Sequence, residues 1–315
     1  MKRIAALLLF VFFSLVWAAP DMERVLPGGL ADGTPPLDPA DPAWARAPTT
    51  RVALYPQSTA PGGLAGAALN LNARLLAGGG RLALRLAWPD ATADVADAVA
   101  TDRFADAVAI QFAAAGETLP YVGMGEPGRP VQVWFWRAGR GVERLVAQGF
   151  GNLAKQSGGS LEVEARRTAD GWEVVFRASA YAVNPLALSF AVWNDAEDGR
   201  AGRKRLSAWQ ALRLPGTASD PANLRMLVEE ARRSGNAVQG ERLFSAWGCT
   251  ACHAPGSGLG PSLQHAGAIH WPGYLRRAIR TPAAFLVPGY GPTMPTLPLK
   301  PEEVENLVAY LEGLR

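Results

Sequence analysis

The chain has two cysteines and three histidines among 315 residues, and none of these five residues precedes position 249. The first 248 residues therefore lack the thiolate and imidazole side chains that most often bind transition metals and haem iron. They also show no glycine-rich phosphate loop, no Ser/His/Asp set and no carboxylates at metal-ligand spacing. The part from about residue 27 to 214 thus offers no obvious catalytic site, and a haem iron there would have only Met, Lys or, less often, Tyr as ligands.

The chain also has little net charge. Lys plus Arg exceed Asp plus Glu by 31 − 28 = +3, and two of the positive charges, Lys2 and Arg3, precede the apolar run IAALLLFVFFSLVWA. This pattern predicts a signal peptide over residues 1–18, with Val16 and Ala18 at the cleavage site. Its removal leaves 3 − 2 = +1, which gives no electrostatic basis for binding nucleic acid. We expect a periplasmic protein; an uncleaved N-terminus that tethers it to the membrane is the alternative.

Both cysteines lie in the stretch SAWGCTACHAPGSGLGP, and a histidine directly follows the second. Cys249 and Cys252 could form a disulfide of the thioredoxin type, because an exported protein meets oxidising surroundings. A disulfide, however, leaves the histidine unexplained. Covalent haem accounts for all three residues, since each thiol can add to a haem vinyl group while His253 binds the iron as proximal ligand. We therefore predict one covalent haem c.

A sixth ligand for this haem is available further along the chain. Met294 lies in the Pro-rich stretch GYGPTMPTLPLK, and the residues from Pro301 onward have the periodicity of a final helix. A methionine placed between a CxxCH motif and a terminal helix favours axial ligation of the iron. His265 and His270 are competing ligands, but they follow soon after the attachment site, and we expect both to be surface or loop residues.

The stretch from about residue 236 to 315 resembles a class I cytochrome c. Just before the cysteines, NAVQGERLFSAW predicts a short amphipathic helix. The resemblance implies that a backbone carbonyl at Gly260-Pro261 holds the proximal imidazole. It also places three residues where the first and last helices cross: Gly240, Phe244 and Tyr310.

The segment from about residue 27 to 214 has a different pattern, with short period-2 runs between Gly, Pro and Asp clusters. RLALRLAW, VQVWFWRA and LSFAVWN predict strands, and LEVEARRTADGWEVVFRA predicts a hairpin with Asp170 and Gly171 at its turn. Such runs are typical of an antiparallel sandwich or barrel. We predict a multi-domain chain: an all-β antiparallel sandwich over residues 19–214, a linker with a short helix over 215–235, and a small all-α cytochrome c domain over 236–315.

Two segments of the β region contain residues that could bind iron. YVGMGEPGRPVQVWFWRA places Met124 between two glycines and ahead of an aromatic strand, and NDAEDGRAGRKRLSAW places Lys204 in a Gly/Arg stretch. Taken alone, the methionine could simply fill the base of a loop, and the lysine could belong to a solvated charge run. Beyond the predicted signal peptide, however, the chain has just three lysines among many arginines.

These segments resemble those of the haem b-binding γ subunits of type II dimethyl-sulfoxide-reductase-like molybdoenzymes. That group includes ethylbenzene dehydrogenase, dimethylsulfide dehydrogenase, and selenate, chlorate and some nitrate reductases. The resemblance covers about residues 35–214 and implies a non-covalent haem b with Met124 and Lys204 as iron ligands. The matching residues are Met124-Gly125, Pro130-Val131 and Trp134 in one segment, and Lys204, Leu206, Ser207 and Trp209 in the other.

The resemblance implies a periplasmic electron-transfer subunit that holds haem b and haem c. Its partners would be catalytic subunits that carry molybdopterin and iron–sulfur clusters, and a soluble or membrane-bound redox protein. Nitrate reductase is a first candidate for the enzyme that these catalytic subunits form. The attached cytochrome c domain departs from the single-haem γ subunits and leaves open a shuttling carrier. An exported carbohydrate-binding sandwich with a cytochrome c tail and no haem b is the alternative. A haem peroxidase would need a second CxxCH or its equivalent, which the sequence lacks.

Overall fold

The structure is a computed structural model that describes residues 24–57, 64, 66–95, 104–179, 186–194, 202–216 and 220–315. The predicted signal peptide lies outside these ranges. Within them, thirteen strands precede six α-helices, and the division into a β domain and a small helical domain confirms the predicted fold class. The strands are β1 (Val25–Leu30), β2 (Thr50–Pro56), β3 (Leu69–Gly78), β4 (Arg81–Pro89), β5 (Ala107–Ala113), β6 (Val131–Arg137), β7 (Gly141–Ala147), β8 (Leu153–Lys155), β9 (Leu161–Arg167), β10 (Gly171–Ser179), β11 (Ala187–Trp193), β12 (Arg205–Leu206) and β13 (Gln210–Arg213).

Hydrogen bonds connect the strands in the order β8-β7-β6-β5-β11-β12-β2-β3-β4-β10-β9. The path folds over where β12 pairs with β2, so β5–β8 and β11 form a first sheet, whereas β2–β4, β9 and β10 form a second. Neighbours along this path are antiparallel, as predicted. β1 differs, because it pairs in parallel with β13 through its first half and with β3 through its second half.

The two sheets share one apolar core. Along β4, Leu82, Leu84, Leu86 and Trp88 turn towards this core, as the period-2 pattern predicts. The predicted hairpin is also present, since β9 and β10 pair up to Arg167 opposite Trp172, and residues 168–171, which include Asp170 and Gly171, connect these two residues. The other face of the first sheet, here named the outer face, is apolar as well and carries both the β5–β6 loop and part of the helical domain.

The helical domain is held together where two of its helices cross. Its elements are α1 (Pro221–Ala231), α2 (Ala237–Ala246), α3 (Thr250–His253), α4 (Ala266–Ile269), α5 (Pro272–Arg280) and α6 (Pro301–Glu312). A Cβ on Gly240 of α2 would lie 1.9 Å from the carbonyl oxygen of Asn306 in α6, so only glycine allows this approach. The ring of Phe244 lies 5.2 Å from that of Tyr310, which confirms the predicted crossing. Among the helices that the structure describes, none has the length and apolar character needed to span a membrane.

Hydrogen bonds fix the helical domain against the β domain. Trp271 Nε1 donates to the carbonyl oxygen of Trp209 over 2.8 Å. Arg24, just before β1, donates to the carbonyl oxygen of His270 over 2.9 Å. On the helical side, Arg277 of α5 pairs with the buried Glu230 of α1. The two domains therefore meet in a packed interface and are not merely tethered.

Candidate haem sites

Met124 lies in the loop between β5 and β6, over the outer face. With φ +74° it is the one non-glycine residue in the described part of the chain that adopts a left-handed backbone, and Gly125 follows at φ +70°. A side chain in this conformation costs roughly 1–2 kcal/mol. Such strain is found where the surroundings hold a residue in place for a function. The loop therefore presents the Met124 thioether in an enforced position.

Gln111 supplies much of this enforcement. It points from β5 to the outer face, where it is buried, and its Oε1 accepts a hydrogen bond from the Met124 backbone N–H over 3.1 Å. Its Nε2 donates to the carbonyl oxygen of Val122 over 2.6 Å and to Ser189 Oγ over 2.9 Å. The N–H of Gly149 donates to the Met124 carbonyl oxygen over 2.8 Å. Both backbone polar groups of Met124 are thus engaged in hydrogen bonds within the β domain.

Lys204 directly precedes β12 and is 3% exposed, so the reading of a solvated surface lysine is wrong. Its Nζ lies 5.2 Å from the ring centre of Trp193 and 5.8 Å from that of Phe150. Among the described residues, no carboxylate forms a salt bridge with it. Burial lowers the pKa of Lys204 from 10.5 to about 8.

The lowered pKa matters because an ammonium has no lone pair to give to iron. Deprotonating an ordinary lysine, with a pKa near 10.4, costs about 4–5 kcal/mol at pH 7. With its pKa at about 8, Lys204 loses its proton at a cost of about 1–2 kcal/mol. Lys155 makes the contrast clear, since its side chain is 80% exposed and paired with Glu143 over 2.7 Å.

The structure brings the Met124 and Lys204 segments together. Trp209 Nε1 donates to the carbonyl oxygen of Pro120 over 2.9 Å, which joins the lysine segment to the start of the methionine loop. Phe150 directly follows Gly149, the donor to the Met124 carbonyl oxygen, and its ring faces Lys204 Nζ. Trp134, which the resemblance also included, instead packs in the core against Phe112 and Phe176.

The outer face beside these residues is lined by apolar side chains, as a haem site requires. Its strands present small side chains, with Ala109 of β5 directly opposite Ala191 of β11, and Val133 of β6 nearby. Gln57 is fully buried next to the lysine segment, and its backbone N–H donates to the Lys204 carbonyl oxygen over 2.9 Å. Within the described chain neither polar atom of the Gln57 side chain has a hydrogen-bond partner. An orphaned polar group of this kind calls for a partner beyond the residues that the structure describes.

The CxxCH motif lies at the start of the helical domain. Cys249 directly precedes α3, and both cysteines are free thiols, so the structure contains no disulfide between them. His253 ends the helix, and its Nδ1 lies 2.9 Å from the carbonyl oxygen of Pro261, the contact that the cytochrome c resemblance implies. With Nδ1 donating its proton to this carbonyl, the lone pair of Nε2 is available to iron.

Met294 and the other two histidines lie in different surroundings. Met294 is 37% exposed in the loop between α5 and α6. His270 lies in the connection between α4 and α5, within the expectation of a surface or loop residue, but it is 5% exposed and stacks on Tyr274 at 4.4 Å, so it is a buried loop residue. Burial, together with Arg24, lowers the pKa of His270 to about 3, which keeps its ring neutral. The ring of His265 lies 5.3 Å from that of Tyr55. Both histidines thus pack against the β domain.

Sequence reasoning missed the residues that position the methionine loop. Gln111 is the one polar residue in the strand AVAIQFA, and an uncharged amide in a buried strand is a signal of a structural hydrogen bond. Tyr121 and Phe150 carried no such signal, because their role depends on the domain interface. No group of three or more His, Cys, Asp or Glu residues suited to a metal ion occurs in the described ranges.

Comparisons with known proteins agree with this division. Residues 41–177 match the family model described as ethylbenzene dehydrogenase, and residues 237–315 match the one described as cytochrome c. The chain is 33% identical over 213 residues to the chlorate reductase γ subunit of Ideonella dechloratans, a match that covers 62% of this chain and 87% of that one.

Two further relatives are similar over the same share of the chain. ORF7 of Haloferax mediterranei, assigned as a respiratory nitrate reductase haem subunit, is 31% identical over 210 residues, with 62% of this chain and 74% of the relative covered. The dimethylsulfide dehydrogenase γ subunit of Rhodovulum sulfidophilum is 28% identical over 233 residues, with 63% and 83% covered. Among solved structures, a family 9 carbohydrate-binding module of Caldicellulosiruptor kristjanssonii in complex with glucose has a TM-score of 0.39 at 11% identity, covering 62% of this chain and 98% of that chain.

Proposed function

Since this chain belongs to the γ-subunit family of chlorate reductase and dimethylsulfide dehydrogenase, with a cytochrome c domain attached, we propose that it is a dihaem electron-transfer subunit. The β domain would hold a non-covalent haem b and the helical domain a covalent haem c. Haem iron supplies one-electron oxidation and reduction. The observation that carries the proposal is Lys204, which is buried and has a lowered pKa, in a segment that contacts the loop of the backbone-strained Met124.

In the β domain, the thioether of Met124 and the neutral amine of Lys204 would be the residues that hold the haem iron. A soft thioether favours ferrous iron and raises its potential. Two protein ligands leave no coordination position open for a substrate, so this pair suits electron transfer and not catalysis. The apolar outer face would exclude water from the haem plane, and the orphaned Gln57 amide would gain a partner in the bound group.

In the helical domain, Cys249 and Cys252 would form the two thioether bonds and His253 would bind the iron. The hydrogen bond from His253 Nδ1 to the Pro261 carbonyl oxygen fixes the ring orientation for this role. Met294 would be the sixth ligand, since His265 and His270 are both engaged with the β domain.

The partners would be catalytic subunits of a periplasmic molybdenum oxidoreductase, which carry molybdopterin and iron–sulfur clusters, and a further redox protein. Chlorate and nitrate are the substrates named for two of the relatives. The competing function, a carbohydrate-binding sandwich with a cytochrome c tail, does not account for a lysine buried among apolar and aromatic side chains. Export to the periplasm agrees with covalent haem attachment and with the predicted signal peptide over residues 1–18.

The test is the haem content of the full chain, produced with an adequate haem supply and with cytochrome c maturation. Pyridine haemochrome analysis and acid–acetone extraction should find one extractable haem and one that remains on the chain. Met124→Ala or Lys204→Ala should abolish the extractable haem. Lys204→Arg should fail equally, because a guanidinium stays protonated and cannot donate a lone pair.

Two matched controls should keep the extractable haem. Met226→Ala removes a buried methionine of the same outer-face cluster, and Lys155→Ala removes an exposed lysine. Changing both Cys249 and Cys252 to Ala should abolish haem staining in a denaturing gel. If the unaltered protein contains a single haem that is wholly covalent, there is no haem b site and the carbohydrate-binding function takes its place.

A further inference from the structure

We propose that electrons pass between the two haem sites through an aromatic bridge that crosses the domain interface. The bridge consists of Phe150 and Tyr121 from the β domain, and of Tyr274 and Phe285 from the helical domain. It presupposes the dihaem electron-transfer function proposed above, and it assigns the route by which this chain would connect its two sites.

The β-domain half of the bridge begins at both proposed haem b ligands. The ring centre of Phe150 lies 5.8 Å from Lys204 Nζ. The ring centres of Phe150 and Tyr121 are 6.3 Å apart. Tyr121 also belongs to the loop of Met124, three residues ahead of it, and its carbonyl oxygen accepts a hydrogen bond from the Gly125 N–H over 2.9 Å. Tyr121 is therefore linked to the methionine through the backbone and to the lysine through Phe150.

The helical half of the bridge ends in the loop of Met294. The Tyr121 ring is buried against the helical domain, with centroid distances of 4.7 Å to Phe285 and 5.5 Å to Tyr274. Phe285 and Met294 lie in the same connection between α5 and α6. Tyr121 is thus the residue through which the methionine loop of one site contacts the methionine loop of the other.

The interface holds Tyr121 in this position from both sides. The two residues before Tyr121 accept hydrogen bonds through their carbonyl oxygens. Arg277 of α5 donates to Leu119 over 3.3 Å, and Trp209 donates to Pro120 over 2.9 Å. Trp209 in turn accepts the hydrogen bond from Trp271 of the helical domain. These hydrogen bonds hold Tyr121 at short distances from the neighbouring rings, and fast electron tunnelling requires such short distances.

The transfer is a one-electron exchange, in which one haem iron goes from ferrous to ferric as the other goes from ferric to ferrous. The bridge residues are not oxidised and lose no proton. Burial raises the pKa of Tyr274 well above its ordinary value, so its hydroxyl stays protonated. His270, which stacks on both tyrosines, stays neutral. Tunnelling through packed rings is faster than across a gap, because the decay of electronic coupling is shallower in dense matter.

The test is the intramolecular electron-transfer rate after one haem has been reduced by a laser flash or a radiolysis pulse. Tyr121→Phe keeps the ring and should keep the fast intramolecular phase. Tyr121→Leu and Phe285→Leu each remove a ring and should slow this phase, and Phe285→Leu should do so while leaving both midpoint potentials in place. Because both changes interrupt one route, the double variant should be no slower than the slower single variant.

Tyr55→Leu is the matched control, since it removes an aromatic contact between the domains that lies outside the bridge, that with His265. It should leave the fast phase intact. A fast phase that survives both Tyr121→Leu and Phe285→Leu overturns the bridge, and so does one that is lost in Tyr55→Leu instead. Haem content and haem spectra, measured first on each variant, keep the two proposals apart: a protein without haem b contradicts the dihaem function, whereas two haems with unchanged kinetics contradict the bridge alone. Should Tyr121→Leu lose haem b, Phe285→Leu decides the matter, because that ring lies outside the β domain.

Discussion

Replacing Lys204 by leucine should have opposite effects on the haem-free and the haem-loaded protein. In the unfolded chain the ammonium is solvated, whereas in the folded chain it is buried and its pKa falls from 10.5 to about 8. One pKa unit corresponds to about 1.4 kcal/mol, so at pH 7 the charged amine weakens the haem-free fold by about 3 kcal/mol. Lys204→Leu should therefore raise the unfolding free energy of the haem-free β domain by up to about this amount.

The stability difference between Lys204→Leu and the unaltered protein should depend on pH. Between pH 8 and 10.5 the unfolded chain binds more protons at Lys204 than the folded chain does, so the stability of the unaltered protein rises with pH across this window. The advantage of the leucine variant should be complete below about pH 8 and absent above about pH 10.5. In the haem-loaded protein the same change removes an axial ligand, and the stabilisation that haem binding adds to the folded state should be lost.

Urea denaturation followed by tryptophan fluorescence, at pH 7 and at pH 10.5 with and without haem, measures both effects. Lys155→Leu serves as the control, because its exposed ion pair contributes at most about 1 kcal/mol. The reasoning is refuted if the haem-free leucine variant is less stable than the unaltered protein at pH 7. It is also refuted if the stability difference between them is the same at both pH values.

Three further changes test other parts of the structure. Met294→Ala should remove the sulfur-to-ferric-iron absorption band and lower the potential of haem c, whereas alanine at either histidine of the domain interface should do neither; the reverse result would reassign the sixth ligand. Gln111→Leu should shift the haem b potential and broaden the haem b spectrum, because the backbone N–H of Met124 loses the side-chain oxygen that accepts its hydrogen bond. An unchanged spectrum would contradict this positioning role. Burial raises the pKa of Asp106 to about 6. Asp106→Asn should therefore stabilise the protein in denaturant titrations at pH 7 and have no such effect near pH 3. Equal effects at both pH values would show that the carboxyl does not titrate as the structure implies.

The haem c site could be predicted because its determinants are local. The CxxCH motif and the proline-rich methionine stretch are each contained in a short sequence, and the crossing of α2 and α6 leaves its mark in Gly240. His270 shows where this reasoning ends. Its burial comes from a domain interface in which Tyr121, almost 150 positions earlier in the chain, meets its ring. No sequence pattern within the helical region contains that contact.

The candidate haem b ligands could be proposed from the sequence for a chemical reason, whereas the contacts that support them could not. In a region without His or Cys, elimination left Met, Lys and Tyr as possible iron ligands, and the resemblance to known segments singled out Met124 and Lys204. Their burial depends on which strands become neighbours, and so does the position of Gln111 between β11 and the methionine loop. The parallel pairing of β1 was missed for a similar reason, since VLPGGL shows no period-2 alternation.

Formation of the haem b site and docking of the helical domain are thermodynamically linked through the methionine loop. The left-handed backbone of Met124 costs roughly 1–2 kcal/mol, a strain that surrounding contacts must offset. Gln111 and Gly149 provide such contacts from within the β domain, whereas Arg277 holds the start of the same loop from α5. When either haem binding or docking of the helical domain orders the loop, the other step has a smaller entropic cost to meet. Such linkage is reciprocal. A bound haem b should therefore strengthen docking of the helical domain, and the docked helical domain should strengthen binding of haem b.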